Sequence, residues 1–288
     1  MRAERLGAGP IITPKINGTI GPNINGPSLI RVPEWIAHPL GRYYLYFAAH
    51  RGTFIRLAYG DTLSGPWQVY GPGALHLADS TFTDHIASPD VHVDQGAREI
   101  VMYYHGMCED GTQATRFAVS RDGLNFHPAP EIIAPSYLRV FDWNGWRYAV
   151  AMPGILYRSR TGRTPFERGP AILSPDTRHV ALWVEDDRLY VVFSRAGDCP
   201  ERLLLITVKL GRDWHTWRAS EPRVLLEPHT DDEGGCLPLR PSKRGEASGP
   251  CRELRDPAIY AEDGVRYLLY SVAGESGIAI ARLEAGEG

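Results

Sequence analysis

Short runs of aromatic, aliphatic and β-branched residues recur along the chain, separated by stretches rich in glycine, proline and polar residues. Five of these runs resemble one another, and they occupy residues 42–47, 98–104, 146–151, 188–193 and 265–270. Turn signals such as Asn144-Gly145 and Asp263-Gly264 precede them, and these dipeptides are typical of tight β-hairpins. The pattern therefore predicts antiparallel strands joined by short turns.

Each of the five runs is flanked by two others. One run precedes it, at residues 27–32, 89–93, 137–141, 180–184 and 257–260. Another follows it, at residues 53–59, 115–120, 154–159, 202–210 and 277–283. In four of the five units a polar turn then leads to one or two aromatic residues, which are Trp67, Phe126, Phe166, and Trp214 with Trp217. A unit of four antiparallel strands that repeats radially is a propeller blade.

The fold class predicted from this repeat is all-β, a five-bladed β-propeller with four antiparallel strands per blade, in a single domain spanning residues 1–288. The alternative is a β-sandwich whose strands resemble one another by chance. Blade five shows only three strands, and an exposed strand edge is a liability, so we expect residues 9–14 to supply its outer strand. The longest insertion, residues 226–254, is predicted to be an ordered loop over the funnel mouth that carries Glu233 toward it.

The composition narrows the classes of function. Hydrophobic residues make up 43% of the chain and charged residues 23%, which is enough for a large core. The formal net charge is -3 and no basic stripe occurs, so we expect no nucleic-acid partner. No stretch is apolar enough to span a membrane, and residues 1–16 lack the apolar segment of a signal peptide. The cysteines form no C-x-x-C pair and are interpreted as free thiols of a cytoplasmic protein.

One motif carries a resemblance to known enzymes. The sequence Arg255-Asp256-Pro257, followed by the strand at residues 265–270, resembles the Asp-Pro strand of five-bladed glycoside hydrolases, the families numbered 43, 62, 32, 68, 117 and 130. Ser88-Pro89 resembles the same strand in another blade. The resemblance implies a propeller whose central funnel binds carbohydrate and cleaves it with carboxyl groups.

The chain departs from the family pattern in two blades. In the arabinanase-like families an Asp-Pro in the first blade supplies the catalytic base, and one in the second blade tunes the acid. Here the corresponding positions are Gly26 and Ser88, and only blade five keeps the acid, as Asp256. The resemblance therefore implies either that the catalytic residues have moved or that the chain binds sugar without cleaving it.

The geometry of a propeller selects the candidate site residues, because the starts of the innermost strands and the ends of the second strands meet at the funnel. The candidate catalytic carboxylates are Asp256, Glu275, Asp198 and Glu233. The candidate substrate-binding residues are Asn25, His50, His85, Asp90, His105, His179, Arg195 and Arg255. Each carboxylate has a structural alternative: Asp256 caps a strand turn, and the other three are solvated charges of turns and loops. The resemblance to family 117 also allows a histidine to replace a missing carboxyl as the acid.

These candidates predict a glycoside hydrolase-like protein that acts on a small glycan or oligosaccharide through carboxylates in the funnel. The alternative is a non-catalytic carbohydrate-binding propeller, which the missing acids favour. Arg195 and Arg255 also suit an acidic sugar or a phosphate. No cofactor is expected, and no spacing of potential ligands demands a metal. A metal ion bound on the propeller axis remains an open alternative. We expect Asp256 to point into the central pocket beside Arg255 or a histidine, with Glu275 as the proton donor.

Overall fold

The computed structural model describes residues 1–285, and these contain strands and three short 3₁₀ helices but no α-helix. The 3₁₀ helices are Leu77–Asp79, Trp214–Thr216 and Asp231–Glu233. The strands are β1 Arg2–Arg5, β2 Asn25–Arg31, β3 Tyr43–Ala48, β4 Phe54–Gly60, β5 Gln68–His76, β6 Ile86–Asp94, β7 Glu99–Met107, β8 Gln113–Ser120, β9 His127–Pro128, β10 Ala134–Pro135, β11 Arg139–Trp143, β12 Trp146–Ala151, β13 Ile155–Ser159, β14 Glu167–Ala171, β15 Thr177–Glu185, β16 Arg188–Arg195, β17 Leu203–Lys209, β18 Arg223–Leu226, β19 Arg255–Glu262, β20 Val265–Val272 and β21 Gly277–Glu284. None of the described helices is both long enough and apolar enough to cross a membrane.

The strands form five antiparallel sheets, which confirms the predicted five-bladed propeller. Blades one, three and four have the strand orders β2-β3-β4-β5, β11-β12-β13-β14 and β15-β16-β17-β18. In blade two, β6-β7-β8 is completed by two very short outer strands, β9 and β10, which both pair with β8. The innermost strands β2, β6, β11, β15 and β19 surround the axis, where β2 contacts both β6 and β19. Their starts therefore converge on one end of the axis.

Blade five is closed by the N-terminal segment, although not by the residues predicted from the sequence. Strand β1 pairs with β21 from Arg2 opposite Glu284 to Arg5 opposite Ala281. Of the predicted residues 9–14, Ile12 forms one isolated bridge with Ile278. Proline has no backbone N–H to donate to a ladder. Because this segment contains two prolines, its pairing stops at a bridge and the regular strand lies further upstream.

Packing between blades explains the hydrophobic runs. All six residues of β3 are buried, since a central blade strand is covered on both faces by the neighbouring blades. Aromatic rings fill the wedge-shaped gaps: Tyr46 meets Phe126 edge to face at 5.7 Å, and Tyr148 packs against Trp217 at 5.0 Å. Such contacts are the favourable geometries of aromatic pairs. They hold the innermost strands at a fixed distance from the axis and so position the residues at the strand starts.

Candidate functional site

The innermost strands begin with an irregularity that turns side chains toward the axis. Register shifts occur at the starts of β2, β6, β15 and β19. The shifted positions include Gly26, Ser88 and Asp256, whose φ angles are 59°, 50° and 47°. A β-bulge re-aims side chains in this way, and a positive φ is uncommon for residues other than glycine. Tyr137, just before β11, has the same left-handed backbone with a φ of 60°.

A pocket opens on the axis where these strands begin. Its empty space, including its open mouth, measures about 290 Å³. The lining residues are Asn25, His50, Arg51, His85, Ala87, Ser88, His105, Tyr137, His179, Asp256 and Glu275. The structure therefore brings together seven of the residues singled out from the sequence, which are Asn25, His50, His85, His105, His179, Asp256 and Glu275. We call this cavity the axial pocket.

Asp256 is buried in the axial pocket beside a histidine. One carboxylate oxygen contacts Nδ1 of His179, and the other accepts a hydrogen bond of 3.1 Å from the Ser271 hydroxyl. Burial alone would raise the pKa of Asp256, but His179, Arg178 and Arg255 together lower it well below its usual range. The Asp256 carboxylate is therefore ionised at neutral pH. Burial lowers the pKa of His179, and the nearby charge of Asp256 opposes that change.

Glu275 lies in the turn between β20 and β21 and is also held as an anion. Its Oε2 accepts a hydrogen bond of 2.7 Å from the Asn23 side chain, and its Oε1 lies 3.2 Å from Arg255 Nη1 and 3.5 Å from His50 Nδ1. Burial would raise the pKa of Glu275, but the contacts with His50 and Arg255 lower it. These contacts favour the ionised carboxylate, which does not suit the predicted role of proton donor. Glu275 in turn raises the pKa of His50.

Neighbouring aromatic rings in edge-on and tilted contacts line the axial pocket. His105 is 1% exposed, and its ring lies 5.7 Å from that of His85 and 4.1 Å from that of Tyr137. Neither nitrogen of His105 has a hydrogen-bond partner among residues 1–285. Burial lowers the pKa of His105 well below its usual value. A neutral imidazole offers one donor and one acceptor, and neither is matched at His105 by a protein group of the described chain.

Tyr137 is a pocket residue that the sequence analysis missed. Its ring lies between His105 and His179, 4.4 Å from the latter. Burial, reinforced by the charge of Asp256, raises the pKa of Tyr137 to about 12. The position corresponds to Gly26, Ser88 and Asp256 in the other blades, but Leu138 follows it where they have a proline. Because no proline follows Tyr137, the sequence lacks the signal that marks the equivalent positions in the other blades.

Arg255 lies behind the wall of the axial pocket rather than on its surface. It is 2% exposed, donates to Glu253 Oε2 at 2.7 Å, and lies 3.4 Å from Glu201 Oε2. Burial raises the pKa of Glu201 to about 7, against the opposing influence of Arg178 and Arg255. Arg255 is thus enclosed by acidic groups, and its contact with Glu275 holds that carboxylate in place.

Three other predicted residues lie outside the axial pocket. Asp90 accepts a hydrogen bond of 2.9 Å from the Val140 backbone and contacts His92 and Arg139 in a cavity at the other end of the axis. Arg195, the last residue of β16, pairs at 3.1 Å with Asp198 in the turn that follows. Their charges are thus already matched within the protein.

The position of Glu233 contradicts the prediction that the insertion at residues 226–254 carries this residue to the funnel mouth. Its carboxylate binds the Arg5 guanidinium at 2.7 Å and accepts a hydrogen bond of 3.0 Å from the Tyr270 hydroxyl. It also accepts from the His229 backbone at 2.9 Å and closes a capping box on its own 3₁₀ helix. The insertion thus uses Glu233 to fasten the N-terminal strand, and does not carry it to the funnel.

The later part of the insertion does reach the funnel face. The Arg178 guanidinium donates to the carbonyl oxygens of Lys243 and Gly245, at 2.5 and 2.9 Å. Arg255 donates to the Gly245 carbonyl at 3.1 Å. Within residues 1–285, no cluster of three or more histidine, cysteine, aspartate or glutamate side chains has an arrangement that could hold a metal ion.

Comparison with known proteins identifies one sequence relative and many structural neighbours. No protein-family model matches the chain. An uncharacterized protein of Acanthamoeba polyphaga mimivirus is 37% identical over 297 residues, which cover 91% of this chain and 83% of that protein.

The structural neighbours are glycoside hydrolases with low sequence identity. A family 43 enzyme from Xanthomonas citri in complex with xylose superposes with a TM-score of 0.67 at 13% identity, covering 98% of this chain and 91% of its own. A family 43 β-xylosidase/α-arabinofuranosidase from a compost metagenome, in complex with xylotriose, has a TM-score of 0.67 at 13% identity, covering 99% and 96%. An exo-1,5-α-L-arabinanase from a bovine ruminal metagenome has a TM-score of 0.61 at 13% identity, covering 92% and 94%. The likeness confirms the shared five-bladed propeller fold.

Proposed function

We propose that this chain, which belongs to the same family as the uncharacterized mimivirus protein, is a carbohydrate-active enzyme that cleaves a glycosidic bond in a small glycan or oligosaccharide. The observation that carries the proposal is the pair of carboxylates in the axial pocket. Asp256 and Glu275 are both ionised, and each contacts an imidazole. Glycosidic cleavage needs negative charge near the anomeric carbon and a proton for the leaving oxygen.

We assign the negative charge to Asp256. Its carboxylate is buried and kept ionised by His179, Arg178 and Arg255, so it stabilises a positively charged, oxocarbenium-like transition state or orients a water. An ionised group stabilises a nearby opposite charge more strongly in a poorly solvated site than in water. The contact with His179 Nδ1 fixes the orientation of the Asp256 carboxylate.

We assign the proton to His50. Glu275 raises the pKa of this imidazole, which makes the protonated form available near neutral pH. The side chain of His50 is 25% exposed, so its ring has access to a bound ligand. His105 and Asn25 line the same pocket and are suited to hydrogen bonds with sugar hydroxyls.

The neighbours support a choice of first substrates. Two of the neighbouring enzymes were crystallised with xylose or xylotriose, and a third is an arabinanase. Their fold is the fold of this chain, so xylosides and arabinosides are the first compounds to test. The proposal for this chain extends to other small neutral glycans.

A second candidate function is carbohydrate binding without cleavage. Gly26 and Ser88 stand where the resemblance implies acids. A Cβ atom at Gly26 would lie 3.1 Å from the Ser88 Cα, a tight contact that an aspartate at that position could relieve only by moving the Ser88 backbone by a few tenths of an ångström. This side of the pocket has no carboxylate among its lining residues.

The two candidates are separated by one experiment. Aryl xylosides, aryl arabinofuranosides and neutral oligosaccharides are incubated with the wild type, Asp256→Asn and the control Asp198→Asn, whose carboxylate lies outside the axial pocket. We expect product from the wild type and the control, and a loss of about 10²- to 10⁴-fold in turnover for Asp256→Asn. Sugar binding measured by calorimetry without any product from the wild type would instead establish the binding function.

A further inference from the structure

Glu201 is a fully buried carboxylate that lies behind the axial pocket and is not among its lining residues. It stands in the turn between β16 and β17, where its Oε1 accepts a hydrogen bond of 2.7 Å from the Ser194 hydroxyl. Oε1 also lies 3.4 Å from Arg178 Nε, and Oε2 lies 3.4 Å from Arg255 Nε. We propose that Glu201 is a positioning residue whose charge acts through these two arginines on the proton carried by His50, an inference that rests on the proposed function.

Arg255 connects Glu201 to the axial pocket. Arg255 Nη1 lies 3.2 Å from Glu275 Oε1, and the same carboxylate oxygen lies 3.5 Å from His50 Nδ1. The contacts therefore form an unbroken chain from Glu201 through Arg255 and Glu275 to His50. Because Arg255 is shared between acidic partners, loss of the charge at Glu201 leaves it to pair more strongly with Glu275. Glu275 then stabilises the protonated imidazole of His50 less.

Arg178 forms a second connection between Glu201 and the pocket. It is 3% exposed, and its positive charge lowers the pKa of Asp256 and of His179. Because Glu201 pairs with Arg178 as well as with Arg255, its negative charge offsets both guanidinium groups. When Glu201 is neutral, more of their positive charge acts on the pocket. This effect also disfavours a proton on His50.

The surroundings of Glu201 and His50 determine when each group titrates. The charged and titratable groups that face Glu201 are Arg178, Arg255, Glu253 and Cys251, and those that face His50 are Glu275, Glu246, Asp256 and His105. Burial raises the pKa of Glu201 to about 7, and Glu275 raises the pKa of His50 above its usual value. The two groups therefore titrate over the same pH range.

Two groups that titrate together and interact do not behave as independent sites. As the pH rises, Glu201 becomes negative, and His50 then holds its proton more strongly. His50 should therefore lose its proton over a broader pH range than a single independent group does. The consequence for the proposed enzyme is that its proton donor stays charged as the solution becomes less acidic.

The first experiment measures the titration of His50 by NMR in the wild type, Glu201→Gln and the control Glu167→Gln. The His50 signal is assigned by its absence from His50→Gln. Glu167 pairs with Arg158 at 2.8 Å in the outer strand of blade three, so the control also removes the charge of a paired glutamate.

We expect the pKa of His50 to be lower by about half a pH unit in Glu201→Gln, as for a charge that acts through intervening groups in a partly buried site. The control should leave it unchanged. The titration curve of the wild type should be shallower than that of one independent group, and Glu201→Gln should restore the steeper form. The shape of the wild-type curve tests the link even where Glu201→Gln fails to fold.

The second experiment measures the pH profile of kcat/KM with an aryl glycoside that the wild type cleaves. In Glu201→Gln the alkaline limb should move to lower pH by the same amount as the pKa of His50, while KM in the acidic range stays within about a factor of two. A purely structural role would instead lower kcat at every pH and leave the limb in place, which would overturn the inference.

The two experiments separate the inference from the proposed function, because the titration of His50 needs no substrate. An unchanged His50 pKa in Glu201→Gln, or a wild-type curve as steep as that of one independent group, would overturn the inference and leave the proposed function standing. A lowered His50 pKa in Glu201→Gln, together with no glycoside cleaved by the wild type, would overturn the proposed function and with it the catalytic meaning of the link.

Discussion

The replacement Asp256→Asn is the most direct test of the axial pocket, because it removes a charge and leaves the shape. Asp256 has a φ of 47°, in the left-handed region that asparagine tolerates as well as aspartate does. The Ser271 hydroxyl can still donate to the amide oxygen, as it does to the carboxylate over 3.1 Å. The perturbation is therefore electrostatic rather than steric.

The structure indicates how much stability and how much turnover Asp256→Asn should lose. The change weakens the hydrogen bonds that a charged acceptor receives, each of which contributes about 1.5–3 kcal/mol. Arg178 and Arg255 keep acidic partners in Glu201 and Glu275, so the loss of charge does not strand them. We expect the free energy of unfolding to fall by about 1–3 kcal/mol. We expect turnover to fall by about 10²- to 10⁴-fold, since the transition state loses its facing charge.

The assay measures kcat/KM and the thermal midpoint on the same preparations of wild type, Asp256→Asn and Asp198→Asn. The last variant removes a carboxylate that pairs with Arg195 outside the axial pocket, and its turnover should stay within about a factor of two of the wild type. A variant at position 256 with full turnover would refute the role assigned to Asp256. One that fails to fold would show that the carboxylate acts as a cap of the strand turn.

The remaining predictions concern single carboxylates around the pocket. Glu275→Gln removes the group that raises the pKa of His50, so the alkaline limb of the kcat/KM profile should move to lower pH; an unmoved limb would exclude His50 as the donor. Glu201 has a pKa of about 7 in the folded protein, above its unfolded value. The free energy of unfolding of the wild type should therefore fall as the pH rises from about 4.5 to about 7. Urea unfolding of Glu201→Gln should not show this fall. Glu233→Ala breaks the pair with Arg5. It should cost about 1–3 kcal/mol of stability while leaving kcat within about a factor of two, and a large loss of kcat with an unchanged thermal midpoint would return Glu233 to the catalytic candidates.

Local sequence signals were sufficient for the fold because a blade is a local structure. Each hairpin is encoded by neighbouring runs and by turns such as Asn144-Gly145, and no long-range information is needed to recognise the repeat. The closing strand was misplaced by a few residues because β1 pairs with β21 across nearly the whole chain. Nothing near Arg2–Arg5 in the sequence indicates that partner.

The pocket residues were predictable where a local motif marks them. Asp256 stands in an Arg-Asp-Pro motif, and His50 and Glu275 follow the ends of strands that were recognised. Glu233 was misplaced because its partner, Arg5, lies 228 positions away. The same limit applies to Arg255, whose sequence neighbourhood does not reveal that it is enclosed by Glu201, Glu253 and Glu275.

The residues at the axial positions of the blades pack closely together at the start of the innermost strands. Gly26 brings its strand so close to Ser88 that a Cβ atom would lie 3.1 Å from the Ser88 Cα. The ring of Tyr137 fills the third position. The carboxylates of the axial pocket lie at blade five, where Asp256 contacts His179 and Glu275 contacts His50. An acid restored at position 26 would need the Ser88 backbone to give way by a few tenths of an ångström, so the packing on this side of the axis favours the small residues found there, and the charge of the pocket lies at blade five.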